Sequence, residues 1–573
     1  MPRLLRHRRI KLFLLIFLLV AAVGWIYWNR TQKVDMTASV PADALAFIEA
    51  NDLPAIAAGI EESEGWRKLA APLGAPPNLL PHRWLIKLAR WTGIGSADAV
   101  LAARSQVALV ISQPQTTQTG TELTIKPLAA LLIETHTAPR RMRPALEKHV
   151  EEFANRIYGQ PTLTRKQVDG VELAAWSAPD GQRQLVLTVV DTLAIVGNDE
   201  SIVLNCADVR RGRRAAMNSD PRLAEARQRL GATDSNLFGF IPKAGVKPAI
   251  QAWALSRAGN SADAAVAIQL ISNTFGNLID SFAWTSSFSN SGSEDRCFVA
   301  LASGVPDQIR NSISPEVRNT EDAFQFVPVD AVSFTSYRFR SADGLWRDLN
   351  AVFSSRSDVV AAIAGRPLLR SSLEPYGILD ADAFFSAVGP RLELIRVGYE
   401  GPAVLVTEIF DKAALRKVAQ LRLGANPKIE SVGEAELMTS TKDNWSAAFL
   451  GSYFLMGPAD SLRQCLSARS QSKSITTSEG FRRAQKPIDQ TLPMISVSFT
   501  SEKQSAISFV ELFSKQERSA FSTSSESIQQ NVQTLPLAVS VTILKDGGLE
   551  WSSRSSFGIL GSLFTTFAPA RPR

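Results

Sequence analysis

Short sequence matches that recur in the same order divide this chain into two copies of one pattern, which restricts the fold to two similar halves. The segment Val40-Pro41-Ala42-Asp43, with Phe47 after it, returns as Val327-Pro328-Val329-Asp330, with Phe334 after it. Further matches follow in order: Trp66-Arg67-Lys68-Leu69 with Trp346-Arg347-Asp348-Leu349, Ala97-Asp98-Ala99 with Ala381-Asp382-Ala383, Ala145-Leu146-Glu147-Lys148 with Ala414-Leu415-Arg416-Lys417, and Gly197 to Ser201 with Gly457 to Ser461. We therefore expect two tandem repeats, over residues 38–325 and 326–573.

The apolar pattern within each repeat predicts strands in neighbouring pairs with helices between them. Leu146, Val150, Phe153 and Ile157 are spaced as one apolar face of a helix. Runs typical of strands occupy residues 44–50, 106–111, 128–133, 184–190, 193–197, 282–289, 296–301, 537–544 and 549–557. Because neighbouring strands in pairs favour hairpins, we expect an α+β fold of two similar halves, with mainly antiparallel sheets packed on helices.

The N-terminus combines a basic head with an uncharged apolar run, the pattern of a membrane anchor. The chain has a formal net charge of +7, and residues 1–11 contain five basic side chains and no acid. Residues 12–28 carry no charge and end in aromatic residues, which favour the membrane–water boundary, while a basic flank favours the cytoplasm. We expect a signal-anchor helix over 12–28, a linker over 29–37, and a single-pass protein of the inner membrane with its body in the periplasm or outside.

A cleaved signal peptide is the alternative for the same segment. Val20-Ala21-Ala22 places small residues near the end of the apolar run, as a cleavage site requires. We favour the uncleaved anchor because Trp25 and Trp28 follow the small residues. Without the head the body is nearly neutral, and with export this argues against a nucleic-acid partner.

The sequence lacks the motifs of common catalytic sites. It contains no HExxH, no Cys-x-x-Cys, no Walker loop and no GxSxG, so we expect no catalytic residue, metal or cofactor. Asp43, Asp98, Asp330 and Asp382 recur with their contexts, and paired carboxylates can cleave glycosides. We favour structural roles, with Asp98 and Asp382 as helix caps and the other two in turns after proline.

Residues 81–92 predict a helix that carries an apolar stripe beside a basic one. The apolar stripe comprises Trp84, Leu88 and Trp91, and the basic stripe comprises Arg83, Lys87 and Arg90. Such a helix can rest on an anionic membrane surface. We favour the other interpretation, that the tryptophans pack in the core of the first repeat while the cations face water, because apolar stripes on globular helices usually pack in a core.

A second basic cluster, Arg210, Arg211, Arg213 and Arg214, surrounds Gly212. It could capture an anion such as a phosphate or a lipid headgroup. We favour the alternative that Arg210 and Arg211 complement the end of a helix that stops at Gly212.

The opening of the body consists of Val40, Pro41, Ala42, Asp43, Leu45 and Phe47, with Trp66 downstream. With the N-terminal anchor and the duplicated body, it resembles the bacterial envelope proteins grouped as domain of unknown function 3352. The resemblance covers most of residues 38–573 and implies a membrane-tethered, exported protein, with no catalytic residues to carry over. The second copy departs from the motif at Val329 and Ser333.

Together these patterns predict a membrane-anchored protein of the bacterial cell envelope that acts as a non-enzymatic binding or scaffolding module. The expected partners are the membrane, through the N-terminal helix, and anionic lipid or another envelope protein. Two alternatives stay open: an anchored hydrolase that uses the repeated carboxylates, and a carrier that holds an apolar envelope ligand between sheet and helices.

Overall fold

The computed structural model describes residues 33–567 with internal gaps. The gaps are residues 81–82, 120–121, 259–261, 290–291, 314–322, 357–369, 371–372, 400, 487, 489–492 and 515–524. The predicted head, the predicted anchor helix over 12–28 and part of the linker lie outside the described residues. Among the described residues, no helix is long and apolar enough to cross a membrane.

The strands are distributed along the whole described chain. They are β1 (Ala46–Ala50), β2 (Gln106–Thr119), β3 (Glu122–Glu134), β4 (Thr162–Val168), β5 (Val171–Ser177), β6 (Gln184–Val190), β7 (Leu193–Gly197), β8 (Leu237–Ile241), β9 (Ile279–Ser289), β10 (Gly292–Leu301), β11 (Ser333–Arg338), β12 (Val388–Arg396), β13 (Val404–Ile409), β14 (Lys428–Val432), β15 (Ala435–Thr439), β16 (Trp445–Leu450), β17 (Tyr453–Pro458), β18 (Met494–Ser501), β19 (Leu537–Lys545) and β20 (Gly548–Ser555).

Helices alternate with these strands. The α-helices are α1 (Leu53–Glu62), α2 (Glu64–Leu69), α3 (Arg83–Thr92), α4 (Ala97–Arg104), α5 (Pro139–Tyr158), α6 (Glu200–Arg210), α7 (Pro221–Leu230), α8 (Lys243–Ala258), α9 (Ala262–Leu278), α10 (Val305–Arg310), α11 (Ala342–Arg356), α12 (Ala381–Ala387), α13 (Lys412–Leu423), α14 (Ala459–Ser470), α15 (Glu479–Gln485), α16 (Lys503–Glu511), α17 (Ser525–Gln533) and α18 (Gly558–Phe567). Short 3-10 helices occupy Met36–Ser39, Met217–Ser219, Ala232–Asp234, Ala323–Phe326, Glu374–Tyr376 and Ile475–Thr477.

The described chain divides into two compact units. Unit 1 comprises residues 33–58 and 78–240, and unit 2 comprises residues 59–77 and 241–567. The short segment 59–77, which contains α2, therefore belongs with the later part of the chain.

Unit 1 is built on an antiparallel sheet in the order β8-β1-β2-β3-β7-β6-β5-β4. Helices α3, α4 and α5 bury apolar side chains against β5, β6 and β7. The predicted apolar face of α5 is wrong in part, because Phe153 and Ile157 are exposed. Its buried side chains are Met142, Leu146, Val150 and Ala154, the row that successive spacings of four place along one side of the helix.

Unit 2 is built on a longer antiparallel sheet in the order β14-β15-β16-β17-β13-β12-β11-β18-β19-β20-β10-β9. One of its cores gathers five phenylalanines, Phe324, Phe326, Phe334, Phe481 and Phe499. The rings of Phe334 and Phe499 stack with their centroids 4.9 Å apart. The predicted α+β class with antiparallel sheets is confirmed.

The strand order of unit 1 recurs within unit 2. Strands β11 to β18 are arranged as β18-β11-β12-β13-β17-β16-β15-β14, which is the order of β1 to β8 with each number raised by ten. The register agrees as well, because Phe47 of β1 lies opposite Phe240 of β8, and Phe334 of β11 lies opposite Phe499 of β18.

Candidate functional site

Helix α3 exposes its aromatic residues in unit 1. The exposed fractions are 66% for Trp84, 43% for Leu88 and 59% for Trp91, and Ile94 just beyond the helix is 59% exposed. The favoured prediction that these tryptophans pack in the core is therefore wrong, because both side chains are more than half exposed. An apolar patch of this kind on a helix is unusual on a soluble protein, where large exposed patches mark interaction sites.

The opposite side of α3 fixes the helix to unit 1. Ile86 and Ala89 are buried in the core that α4 and α5 share. Arg90 forms an ion pair with Asp52, so one of the three predicted cations is already engaged inside the unit. Lys87 is exposed on the surface of the helix, next to the tryptophans.

The loop after α3 is held by a second set of contacts. Arg141 donates to the carbonyl oxygen of Gly93 at 3.0 Å and to that of Gly95 at 2.7 Å. These bonds link the loop to α5 and keep Ile94 in a defined position beside the helix. The exposed apolar side chains therefore belong to a helix and a following loop that these contacts hold in place.

The arginines of the second cluster are engaged within unit 1. Arg210 lies 3.6 Å from Glu134, Arg213 lies 3.7 Å from Asp208, and Arg214 donates to Asp43 at 2.7 Å. Arg211 donates to the carbonyl oxygens of Asp169 and Gly170. Helix α6 ends at Arg210, and Gly212 follows with a φ of 72°, a left-handed conformation that glycine adopts readily.

Two of the repeated acids do not have the capping roles that the sequence predicts. Ser96 caps α4 and Asp380 caps α12, since these side chains accept from amides in the first turn. Asp98 instead lies 2.8 Å from His149, and Asp382 accepts from the indole of Trp346 at 2.7 Å. Both acids lie two positions after the observed cap, in the first turn of the helix, where a carboxylate still favours the helix N-terminus.

Unit 2 contains a cavity of about 320 Å³ that the sequence did not reveal. Strands β18, β19, β20 and β10 form its floor, and the starts of α16 and α18 form its sides. Its lining combines two acids, Asp295 and Glu502, with the aromatic residues Trp551 and Phe557. Serine and threonine hydroxyls make up much of the rest, and among the described residues no lysine or arginine lines the cavity.

Asp295 is buried on β10 and holds the start of α18. Its carboxylate accepts from the hydroxyl of Ser293 at 3.0 Å and from the backbone amide of Ile559 at 3.0 Å. Gly558 has a φ of 62°, and a Cβ there would lie 2.7 Å from both carboxylate oxygens of Asp295. Burial raises the pKa of Asp295, because removing the carboxylate from water disfavours its charged form.

Glu502 is the second buried acid and precedes α16. It accepts from the backbone amide of Ser556 at 2.8 Å and from the hydroxyl of the same residue at 2.7 Å. Burial raises the pKa of Glu502 to about 7, and the negative charges of Asp295 and Glu64 act in the same direction. The two acids of the cavity therefore repel each other when both are ionised.

A register row of polar residues crosses the sheet at this cavity. The row runs through Thr335, Ser498, Ser540, Ser553, Asp295 and Ser286, each directly opposite the next on a neighbouring strand. The sequence signal was the acidic pair Glu294-Asp295 at the start of β10. The predicted strand began at Arg296, one residue too late to include Asp295.

No family model matches the chain, and no curated protein matches it. The solved structure titled "Structure of crystal form I of TP0453" is similar over 50% of this chain and 89% of that chain, with 8% identity and a TM-score of 0.24. A likeness at this level carries no argument about fold or function.

Proposed function

We propose that this chain is a single-pass, membrane-anchored module of the bacterial cell envelope that binds or scaffolds without catalysis, and that α3 rests on an anionic membrane surface. The observation that carries the proposal is the exposure of Trp84, Leu88 and Trp91 on a braced helix. The apolar run over 12–28 and the basic head support the anchor, and the resemblance of the body to domain of unknown function 3352 supports an exported location.

The chemistry of α3 suits a lipid surface. Indole rings favour the headgroup region, where the ring is apolar and its N–H can still find a partner. Arg83 and Lys87 lie on the same helix and add attraction to anionic headgroups, worth about 1 kcal/mol for each basic residue near the surface. An anchored body already close to the membrane needs little further affinity to hold this contact.

The proposal also includes an internal duplication. It is supported by the ordered sequence matches, by the shared strand order of β1–β8 and β11–β18, and by the buried cysteines Cys206 in α6 and Cys465 in α14.

The absence of catalysis is part of the proposal and rests on the engagement of three of the four repeated acids. Asp43 pairs with Arg214, Asp98 with His149, and Asp382 with Trp346. In the described chain, no group of three or more His, Cys, Asp or Glu side chains is placed to hold a metal ion.

Changing Trp84 and Trp91 to Ser should weaken binding of residues 33–573 to vesicles of equal phosphatidylglycerol and phosphatidylcholine by about tenfold or more. The expected loss follows from the apolar area that two indoles bury in the interface. Lys87→Glu should weaken the same binding by several fold, with a larger effect at low salt. Co-sedimentation with sucrose-loaded vesicles measures both changes.

Two variants serve as matched controls for this experiment. Arg213→Glu makes the same charge reversal in unit 1, and Phe410→Ser removes an aromatic side chain of unit 2 that is 81% exposed. Neither should change vesicle binding. Equal binding by the tryptophan variant and the unaltered chain would reject α3 as the membrane contact.

A further inference from the structure

We propose that the cavity of unit 2 is a binding site for a small organic cation, an ammonium group attached to an apolar or aromatic body. The cavity joins two buried acids, Asp295 and Glu502, to the aromatic side chains of Trp551 and Phe557. Its volume of about 320 Å³ is at the lower end of the range for small-molecule sites.

The charge of the cavity favours a cation over other ligands. Buried carboxylates are ordinarily paired with a basic side chain, as Glu49 of unit 1 is with Arg227 at 3.2 Å. Asp295 and Glu502 instead receive neutral donors, the Ser293 and Ser556 hydroxyls and backbone amides. Among the described residues, no lysine or arginine lines the cavity. A positively charged ligand would supply the opposite charge for the two carboxylates.

The neighbouring charges do not remove this preference. Glu64 on α2 acts on Glu502 with the same sign, and its own partner is Lys68 at 2.5 Å. The amide of Ile559 at the start of α18 partly offsets the charge of Asp295 alone. Both acids have a raised pKa, so an ammonium group bound between them would favour their ionised forms.

The rest of the lining fits the remainder of such a ligand. Trp551 lies on β20 with its side chain on the same face as Ser553, the strand neighbour two positions along. An indole is the side chain that attracts a cation most strongly over its face. The hydroxyls of Ser540 and Ser553 can accept hydrogen bonds from ammonium protons, since a hydroxyl both donates and accepts.

Three probes that share one skeleton test the proposal on the full chain in detergent: phenethylammonium, 2-phenylethanol and phenylacetate. We expect phenethylammonium to bind at least tenfold more tightly than the neutral alcohol, and phenylacetate to bind least. Equilibrium dialysis at pH 8 measures all three on the unaltered protein, so no variant has to fold. Equal or tighter binding of the alcohol, or no binding of the ammonium probe, would overturn the proposal.

Conservative variants then locate the site. Asp295→Asn with Glu502→Gln should reduce phenethylammonium binding at least tenfold while binding of 2-phenylethanol changes by less than threefold. The retained alcohol binding distinguishes loss of charge from loss of fold. Glu436→Gln, which removes an acid that Arg416 engages elsewhere in unit 2, is the control and should leave the ammonium affinity unchanged. Unchanged ammonium binding by the double variant would place the cation elsewhere and reject this site.

Discussion

Glu393→Gln is expected to stabilise unit 2 by about 4 kcal/mol at pH 9 and to change its stability little at pH 4. Burial raises the pKa of Glu393 to about 8, compared with an ordinary value of 4.5. A raised pKa for an acid means that the folded chain holds a proton that the unfolded chain has released. Stability contributed by this group is therefore complete below pH 4.5 and is lost as the pH rises to about 8.

The surroundings of Glu393 explain why ionisation is costly. It lies on β12 directly opposite Ser336 of β11, and it is only 2% exposed to solvent. The positive charges of Arg391 and Arg338 lower its pKa but do not offset the burial. A glutamine has the same shape, so it removes the charge and keeps the packing. It therefore stabilises unit 2 only at pH values at which the glutamate is ionised.

Scanning calorimetry of residues 33–573 at pH 4 and pH 9 measures the effect on the transition of unit 2. Glu436→Gln is the matched control, because Arg416 lies 2.7 Å from Glu436 and lowers its pKa. We expect Glu436→Gln to change the stability in the opposite direction, with a small loss at pH 9. A destabilisation by Glu393→Gln that is equal at both pH values would contradict the assignment of a buried, largely protonated carboxyl.

Phe47→Ala and Phe334→Ala should each destabilise their own unit by about 3 to 5 kcal/mol. Both side chains are almost completely buried, with exposed fractions of 0% and 1%. Each lies at the centre of three strands: Phe47 is opposite Val110 and Phe240, and Phe334 is opposite Ile395 and Phe499. Removing either ring leaves a cavity that the surrounding sheet can fill only in part.

Amide hydrogen exchange locates these two effects along the chain. Phe47→Ala should accelerate exchange in β1, β2 and β8, and Phe334→Ala should accelerate it in β11, β12 and β18. Phe410→Ala changes the same residue type at an exposed position and should cost less than about 0.5 kcal/mol. If Phe334→Ala costs no more than this control, the aromatic core does not stabilise unit 2 as the packing indicates.

Sequence patterns were most informative where one face of an element is buried and the other is solvated. The predicted strands over 184–190 and 193–197 coincide with β6 and β7. Strand β4 was missed because six of its seven residues are exposed, so neither face carries an apolar alternation. Periodicity identified α3, but it could not tell which stripe packs; the narrower stripe of Ile86 and Ala89 is buried.

The cavity of unit 2 lay beyond sequence reasoning for a different reason. Asp295, Glu502 and Trp551 come from separate segments, and only the pairing of β10 with β20 brings the first and last of them into one sheet. Asp295 lies within the predicted repeat 38–325 and Glu502 within the predicted repeat 326–573, so the order of the repeats gave no reason to place them together. Local patterns report which face of an element is buried, whereas this site depends on which strands become neighbours.

One outermost strand of each sheet, β4 in unit 1 and β14 in unit 2, bears on how the chain avoids self-association. An exposed strand at a sheet edge can pair with a strand of another molecule. Both strands carry charge along the edge: Arg165 and Lys166 on β4, Lys428 and Glu430 on β14. Burying these charges against a second sheet would be costly, so β4 and β14 should resist edge-to-edge pairing between molecules.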